Sequence, residues 1–196
     1  IGSVKILESF GPNKQKQFFK KVGLTENLNI EGLNVVSNKL PNNWESHSKF
    51  ISYGYGLSLS PISLTTAFSS LVNGGYKIQP SLIKNRGNQK EVKVFSSETS
   101  NKINKLIHKI VMDGTGKKAQ VKGLLIGGKT GTSKKVENGN YSEEKKITSF
   151  IGIFPANFPE FLTFVLFDEP QKNVADSKEN TGGNTAAPTF SKIVKK

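Results

Sequence analysis

The chain has 196 residues, of which 35% are hydrophobic and 22% charged, a composition that excludes an intrinsically disordered chain. It contains no cysteine, which excludes a disulfide scaffold, a Cys-ligated zinc site and a thiol nucleophile. The net charge is +13, and of the 28 basic residues only Arg86 is arginine. Arginine is the side chain that forms paired hydrogen bonds with guanine. We therefore expect a lysine-rich surface and no nucleic-acid partner.

The first fifty residues predict two short helices and a surface loop. Apolar residues at Val4–Phe10 indicate a helix that ends at Gly11, and Pro12 suits the first turn of a second helix. Gly23 is placed where a left-handed residue would end this second helix. Residues 25–50 are rich in Asn, Ser and Lys, and we predict a surface loop there with Trp44 as a single anchor.

Two stronger helices follow. Ser60 and Pro61 form an N-cap and a first helical residue, and the apolar stripe that follows them ends at Gly74. Residues 76–95 predict extended or hairpin structure. A further helix is predicted from Ser97 to Gly114. His108 lies off the apolar stripe of this helix and is interpreted as a surface residue rather than a catalyst.

The last third of the chain predicts a sheet. Three strands are expected at 123–132, 147–154 and 162–168, and short connections favour an antiparallel order. We interpret the polar segment Ser133–Lys146 as a mobile hairpin tip. Apolar residues at helical spacing in 185–195 predict a helix that covers one face. The chain is therefore expected to be α+β, with residues 1–122 mainly helical and 123–196 forming strands and a C-terminal helix.

The segment Gly127–Ser133 carries the candidate chemistry, because it contains Lys129-Thr130-Gly131 followed by Thr132. The alternative is a phosphate-binding loop, since Gly123 through Thr130 formally matches Gly, four residues, Gly-Lys-Thr. Such a loop leads into a helix. Here the loop positions are strand-like and a polar linker follows, so the sequence disfavours phosphate binding.

The motifs on either side of Lys129-Thr130-Gly131 give it a context. In chain order they are Ile51–Leu64, Gly114–Ala119, Gly127–Ser133, Ser149–Ala156, Asp168–Pro170, Gly182–Gly183 and Ala186–Phe190. This set resembles the C-terminal part of the transpeptidase domain of class B penicillin-binding proteins, in which Lys-Thr-Gly is the third motif. The block from Ile51 is similar to the septal, cell-division (FtsI-like) type.

The resemblance implies a penicillin-binding protein and serine β-lactamase-like fold, incomplete in this chain, and a peptidoglycan D,D-transpeptidase activity. In that family Lys129 would place positive charge beside a serine nucleophile. Thr130 and Thr132 would face the substrate carboxylate, the Thr132 N–H would be an oxyanion donor, and Gly131 would leave room for the substrate. Glycines at 127 and 128 would keep the approach to the strand edge clear.

The resemblance also implies partners and a location. The partners would be D-Ala-D-Ala stem peptides, β-lactam antibiotics and, through the parent protein, divisome proteins. The parent would be anchored in the bacterial inner membrane with its catalytic domain in the periplasm. No metal or organic cofactor is implied.

The nucleophile is the missing part of the resemblance. The family requires Ser-x-x-Lys and Ser-x-Asn, and no serine here has Asn two positions later. Ser-x-x-Lys occurs at Ser46–Lys49, Ser81–Lys84 and Ser142–Lys145, about as often as chance gives in so lysine-rich a chain. We therefore expect the acylating serine upstream of Ile1, with this chain inactive alone. The alternatives are a catalytically silent binding or assembly module and a β-lactamase or carboxypeptidase relative.

Overall fold

The structure, a computed structural model, describes residues 1–84, 91–171 and 179–195, apart from the side chain of Glu143. Arg86 and the middle of the predicted 76–95 hairpin lie outside these ranges. The chain divides into two compact units, Ile1–Thr99 and Ser100–Lys196. Over the described ranges, no helix has the length and hydropathy needed to cross a bilayer.

The first unit consists of helices and a small hairpin. Its elements are α1 (Gly2–Phe10), α2 (Pro12–Lys21), α3 (Trp44–Ile51), α4 (Pro61–Val72), β1 (Tyr76–Lys77) and β2 (Val92–Lys93). The strands β1 and β2 pair antiparallel, which confirms the predicted hairpin. The Ser60 hydroxyl accepts the Ser63 N–H at 3.2 Å and caps α4, as the sequence predicted. Gly23 has a φ of 86° just beyond α2, where a left-handed residue was expected.

The interpretation of residues 25–50 as a loop is wrong for its last part, which forms α3. Asn43 caps this helix by accepting the Ser46 N–H at 3.2 Å. Trp44 is buried and its indole N–H donates to the Gln15 side chain at 2.9 Å. Buried residues recur at Trp44, Ser48 and Ile51, so a short helix fixes this anchor rather than a loop.

The second unit holds the sheet. Its elements are α5 (Ser97–Met112, which begins before the unit boundary), a 3₁₀ turn (Lys117–Ala119), β3 (Gly127–Glu137), β4 (Asn140–Phe154), β5 (Phe161–Asp168) and α6 (Ala186–Val194). The strand order β3-β4-β5 is antiparallel throughout, which confirms the predicted meander. Helix α6 packs against β4 and β5, as predicted. The α+β fold class is therefore confirmed.

The first predicted strand and the predicted linker at Ser133–Lys146 have wrong bounds. Strand β3 begins at Gly127, because residues before it form a turn in which Gly123 has a φ of 85°. The strands then continue through most of the linker to a two-residue turn at Asn138 and Gly139, with φ of 51° and 81°. Asn-Gly is the strongest short hairpin signal, and the sequence interpretation overlooked it.

The core of the second unit lies between the sheet and α6. Phe150 on β4 and Phe190 on α6 are fully buried, with ring centroids 4.9 Å apart. A Cβ at Gly152 would lie 2.5 Å from the Phe190 ring, so only glycine admits the helix this close. This packing fixes β4, and through its register it fixes β3.

Candidate functional site

The candidate site is formed on β3, whose residues 127–132 pair with the buried middle of β4. Lys129 is opposite Ile151, Thr130 opposite Phe150 and Gly131 opposite Ser149. Because side chains alternate along a strand, Lys129 projects from one face of the sheet and the threonines at 130 and 132 from the other. Among the described residues β3 pairs with β4 alone, so its second edge faces away from the sheet.

Lys129 places a cation on this second edge. Its ammonium donates to the Thr130 carbonyl oxygen at 2.7 Å. Partial burial lowers the pKa of Lys129 from its ordinary value, because the charged form loses hydration. Backbone groups of alternate residues point the same way, so the Thr132 N–H is expected on the same edge as the Thr130 carbonyl.

The two threonine hydroxyls are fixed by neighbours from outside the strand. Thr130 Oγ1 lies 2.8 Å from Thr115 Oγ1, in the loop that follows α5. Thr132 Oγ1 accepts the Gly182 N–H at 3.0 Å, from the segment that precedes α6. Both hydroxyls are therefore held in position by hydrogen bonds within the second unit.

The segment around Gly182 lies directly against β3 and β4. A Cβ at Gly182 would collide with the Ser149 carbonyl oxygen and would lie 2.5 Å from that of Gly131. A Cβ at Gly131 would lie 2.5 Å from Ser149 Oγ. Glycine at both positions therefore allows two backbones to meet at the candidate site.

Packing, rather than access to the strand edge, accounts for the glycines at 127 and 128. Both are buried. A Cβ at Gly128 would collide with the Phe150 ring, and one at Gly127 would lie 3.0 Å from Ile107. The expectation that these glycines keep an approach clear is therefore replaced by close packing under the strand.

The groups assembled here suit an anion. Within four residues, one strand carries an ammonium on one face of the sheet, two hydroxyls on the other face and backbone groups along its edge. Across the described parts of the chain, no group of three or more His, Cys, Asp or Glu side chains could hold a metal ion. The phosphate-loop alternative is wrong, because Thr130 continues into a strand and not into a helix.

In each of the three Ser-x-x-Lys pairs, the lysine or the serine contacts an acidic side chain. Lys49 pairs with Glu8 at 3.2 Å, and the Ser81 hydroxyl donates to Glu31 at 3.2 Å. Lys145 pairs with Glu137, and this hydrogen bond raises the pKa of Lys145. A serine-activating base needs the opposite shift, because it must accept a proton near neutral pH.

Sequence reasoning missed several residues around the site. Thr115 and Gly182 bond to Thr130 and Thr132, and neither received a role, although both lie in motifs that supported the resemblance. Lys118 donates to Asn184 at 2.8 Å beside them, and nothing in the sequence joins these two residues. His108, interpreted as a surface residue rather than a catalyst, is half-buried, and its Nδ1 lies 2.6 Å from the Ile126 carbonyl oxygen.

Comparison with known protein families and sequences gives one consistent result. The family described as the penicillin binding protein transpeptidase domain matches residues 1–195. The probable peptidoglycan D,D-transpeptidase FtsI of Caulobacter vibrioides is 31% identical over all of this chain and 35% of its own length. Stage V sporulation protein D of Bacillus subtilis is 32% identical over 99% of this chain and 32% of its own length. The chain thus spans about a third of these relatives.

Solved structures show the same fold. The apo transpeptidase domain of penicillin-binding protein 3 from Burkholderia pseudomallei superposes with a TM-score of 0.86 at 26% identity, covering 99% of this chain and 59% of that one. Penicillin-binding protein 3 from Mycobacterium tuberculosis, solved in complex with aztreonam, gives 0.83 at 23% identity and covers 100% of this chain and 48% of that one. The second likeness bears on the fold alone.

Proposed function

Because the chain belongs to the family of penicillin-binding protein transpeptidase domains, we propose that it carries part of the active site of a peptidoglycan D,D-transpeptidase that acts at cell division. In this reaction a serine attacks the D-Ala-D-Ala carbonyl of a stem peptide, D-Ala leaves, and an amine of a second peptide takes the acyl group. The observation that supports this most strongly is the anion-binding arrangement on β3 within a chain that matches the family along its length.

Lys129 acts as the cation beside the nucleophile. Its ammonium is on the strand edge at 2.7 Å from the Thr130 carbonyl, so two of its three protons remain to meet a serine hydroxyl or an alkoxide. Partial burial, which lowers the pKa of Lys129, removes part of the water around its charge, although the residue remains exposed. A poorly hydrated cation stabilises developing negative charge more strongly than one in bulk water.

Thr130 and Thr132 bind the substrate carboxylate, and the Thr132 N–H donates to the oxyanion. Gly131 lies between them, so the substrate backbone can run along the strand edge without meeting a side chain. This placement fits the structure because both hydroxyls are positioned by outside partners before any substrate arrives. Preorganised donors of this kind lose little free energy on binding.

The acylating serine belongs to a part of the parent protein outside these 196 residues. Support comes from the three Ser-x-x-Lys pairs, whose lysines or serines are bonded to acidic side chains. The two units described here are then portions of one transpeptidase domain, and the isolated chain is inactive.

The partners and location follow from the same proposal. The parent binds D-Ala-D-Ala stem peptides and β-lactam antibiotics, and it works with divisome proteins from an inner-membrane anchor with its catalytic domain in the periplasm. The family of penicillin-binding protein transpeptidase domains, whose description matches residues 1–195, supports the antibiotic part of this proposal.

The test compares the parent protein with its Lys129→Ala variant in labelling by a fluorescent penicillin. We expect the parent to be acylated on a serine outside this chain, identified by mass spectrometry of its peptides. Lys129→Ala should lower the acylation rate roughly 10²–10⁴-fold. Lys109→Ala, which removes an exposed lysine of α5, is the matched control and should leave the rate unchanged.

Two results would contradict the proposal. A penicilloyl adduct on Ser46, Ser81 or Ser142 would place the nucleophile within this chain. A parent that folds but is never labelled would favour the silent binding module.

A further inference from the structure

We propose that Lys117 and Lys118 attract and select the C-terminal carboxylate of the donor stem peptide, which binds in a depression that they share with Thr130 and Thr132. This inference rests on the proposed function, because it names the residues that recognise one group of that substrate. It assigns a role to the turn after α5, which the Lys-Thr-Gly motif does not include.

The depression lies beside β3 and has a volume of about 400 Å³. Its walls come from the loop and 3₁₀ turn at 115–118, from β3 and from the segment 181–184. Each described side chain that lines it is an ammonium, a hydroxyl or an amide, and none of them is acidic. A cavity with this lining attracts an anion and disfavours a cation.

The hydroxyls in the depression are left with protons to donate. Thr132 Oγ1 accepts the Gly182 N–H, so its own O–H can point at a ligand. Thr115 and Thr130 share one hydrogen bond at 2.8 Å, which uses one of their two hydroxyl protons and leaves the other. Two O–H donors are therefore available, which matches the two oxygens of a carboxylate.

Lys118 is held at the rim by a chain of hydrogen bonds. Its ammonium donates to Asn184 Oδ1 at 2.8 Å, and the Asn184 amide donates to the Glu179 carbonyl oxygen at 2.8 Å. Lys118 keeps two further protons for an anion. Lys117 precedes it on the 3₁₀ turn and also lines the depression, so two positive charges flank the hydroxyl donors.

Lys117 and Lys118 are both exposed, and their exposure determines how they act on a carboxylate ligand. An exposed ammonium acts on a charged ligand mainly by attraction during approach, and salt screens this attraction. Lys117 and Lys118 therefore act as positioning and selecting residues. They favour binding of a free carboxylate and leave the bond-making step to Lys129 and the serine.

The experiment uses the parent protein and its double variant Lys117→Met/Lys118→Met, acylated by a labelled penicillin and by the methyl ester of the same compound. At about 20 mM salt we expect the second-order acylation rate with the free acid to fall about threefold to tenfold. The rate at saturation and the rate with the ester should not change. At about 0.5 M salt most of the difference should disappear, and Lys118→Arg should retain the parent's rate. Lys109→Met is the matched control.

Three outcomes would overturn the inference: an unchanged rate with the free acid, an equal loss with the ester, and a loss that does not depend on salt. If the parent is not acylated at all, the proposed function fails first. Binding of acetyl-D-Ala-D-Ala and of its C-terminal amide, measured by calorimetry on the same two proteins, then still tests the subsite. We expect the free acid to bind more tightly to the parent than to the double variant, and equal binding to the two proteins would reject it.

Discussion

The two ends of β3 place the same residue type in opposite surroundings. We call Gly127–Thr132 the root of the strand and Ser133–Glu137 its extension. In the root, partial burial lowers the pKa of Lys129. In the extension, hydrogen bonds to Glu169 and, to a smaller degree, to Asp168 raise the pKa of Lys135 to about 12. Six positions along one strand therefore separate a lysine whose pKa is lowered from one whose pKa is raised.

The root and the extension differ in the strands and side chains that pack against them. The root pairs with the part of β4 that also pairs with β5 and carries the buried Phe150. The extension pairs only with the beginning of β4, and the register shifts there between Lys134 and Val136. Exposed Val136 and Tyr141 are opposite each other near its tip. Packing thus holds the root, whereas ion pairs and one turn hold the extension.

The largest expected effect is on folding. Gly128→Val in the root should destabilise the parent by about 3 kcal/mol or more, because the new side chain collides with Phe150 and the Ile151 carbonyl. Gly139→Asn at the tip should cost less than about 1 kcal/mol, since asparagine tolerates its positive φ and a Cβ there meets no described atom within 4 Å. Thermal unfolding of both variants measures the contrast. Equal losses would mean that the two halves are held alike.

The next effect is on acylation. Thr132→Val in the root should lower the rate of penicillin acylation by about 10–100-fold, because it removes a proposed donor and leaves the Gly182 N–H without its acceptor. Thr132→Ser should restore most of the rate. Val136→Thr in the extension is the matched change and should alter the rate less than about twofold. A large effect of Val136→Thr would show that the extension belongs to the site.

The pH dependence should separate the two lysines. Because its pKa is lowered, Lys129 loses its proton below the ordinary 10.5, and the acylation rate should fall as pH rises through that range. Lys135 keeps its charge through the same range, since its pKa is about 12. Lys129→Arg should move the alkaline fall in rate to higher pH, whereas Lys135→Arg should not move it. An unchanged profile for Lys129→Arg would mean that another group titrates.

The same shifts have opposite signs for stability. The pKa of Lys129 is lower in the folded state than in the unfolded state, so its charge reduces the free energy of unfolding at neutral pH. This loss is relieved as pH rises from the folded pKa to the ordinary 10.5. The contribution of Lys135 is fully present below 10.5 and is lost as pH rises to about 12.

The smallest effect concerns the motion of the extension. Lys135→Met removes the ion pairs to Asp168 and Glu169, at 2.9 and 2.6 Å. We expect backbone amides of the extension to exchange with solvent faster, and those of the root to keep the parent's rate. Hydrogen exchange followed by mass spectrometry distinguishes the two halves. Lys109→Met controls for loss of charge, and faster exchange in the root as well would mean that the halves open together.

Most helices and strands of the fold could be predicted from local sequence patterns. Apolar periodicity and caps located α4, α5 and α6, and apolar runs of strand length located the middle of β4 and β5. Helix α3 was not predicted because its segment is rich in polar residues and Asn43 is equally typical of a loop. The extension was not predicted because four of its five residues are polar, so no apolar run or alternation of apolar and polar positions marks it.

The candidate site was predictable only along β3 itself. Lys129, Thr130 and Thr132 were found because they are adjacent in a motif. Thr115, Lys118 and Asn184 reach the site through the packing of the turn and of α6, and their contacts span 15 to 66 positions of sequence. Such contacts depend on tertiary structure that residue spacing does not contain.

The bond between Thr132 and Gly182 also sets an order of events during synthesis. The two residues are 50 positions apart, so the ribosome completes β3 well before it makes the segment that fixes the Thr132 hydroxyl. At about 5–20 residues per second, this interval lasts roughly 3–10 s. During that time the nascent strand has its lysine and threonines but lacks the neighbour that orients them. Until the Gly182 segment has emerged and folded onto the strand, a newly made molecule therefore lacks the hydrogen bond that orients the Thr132 hydroxyl.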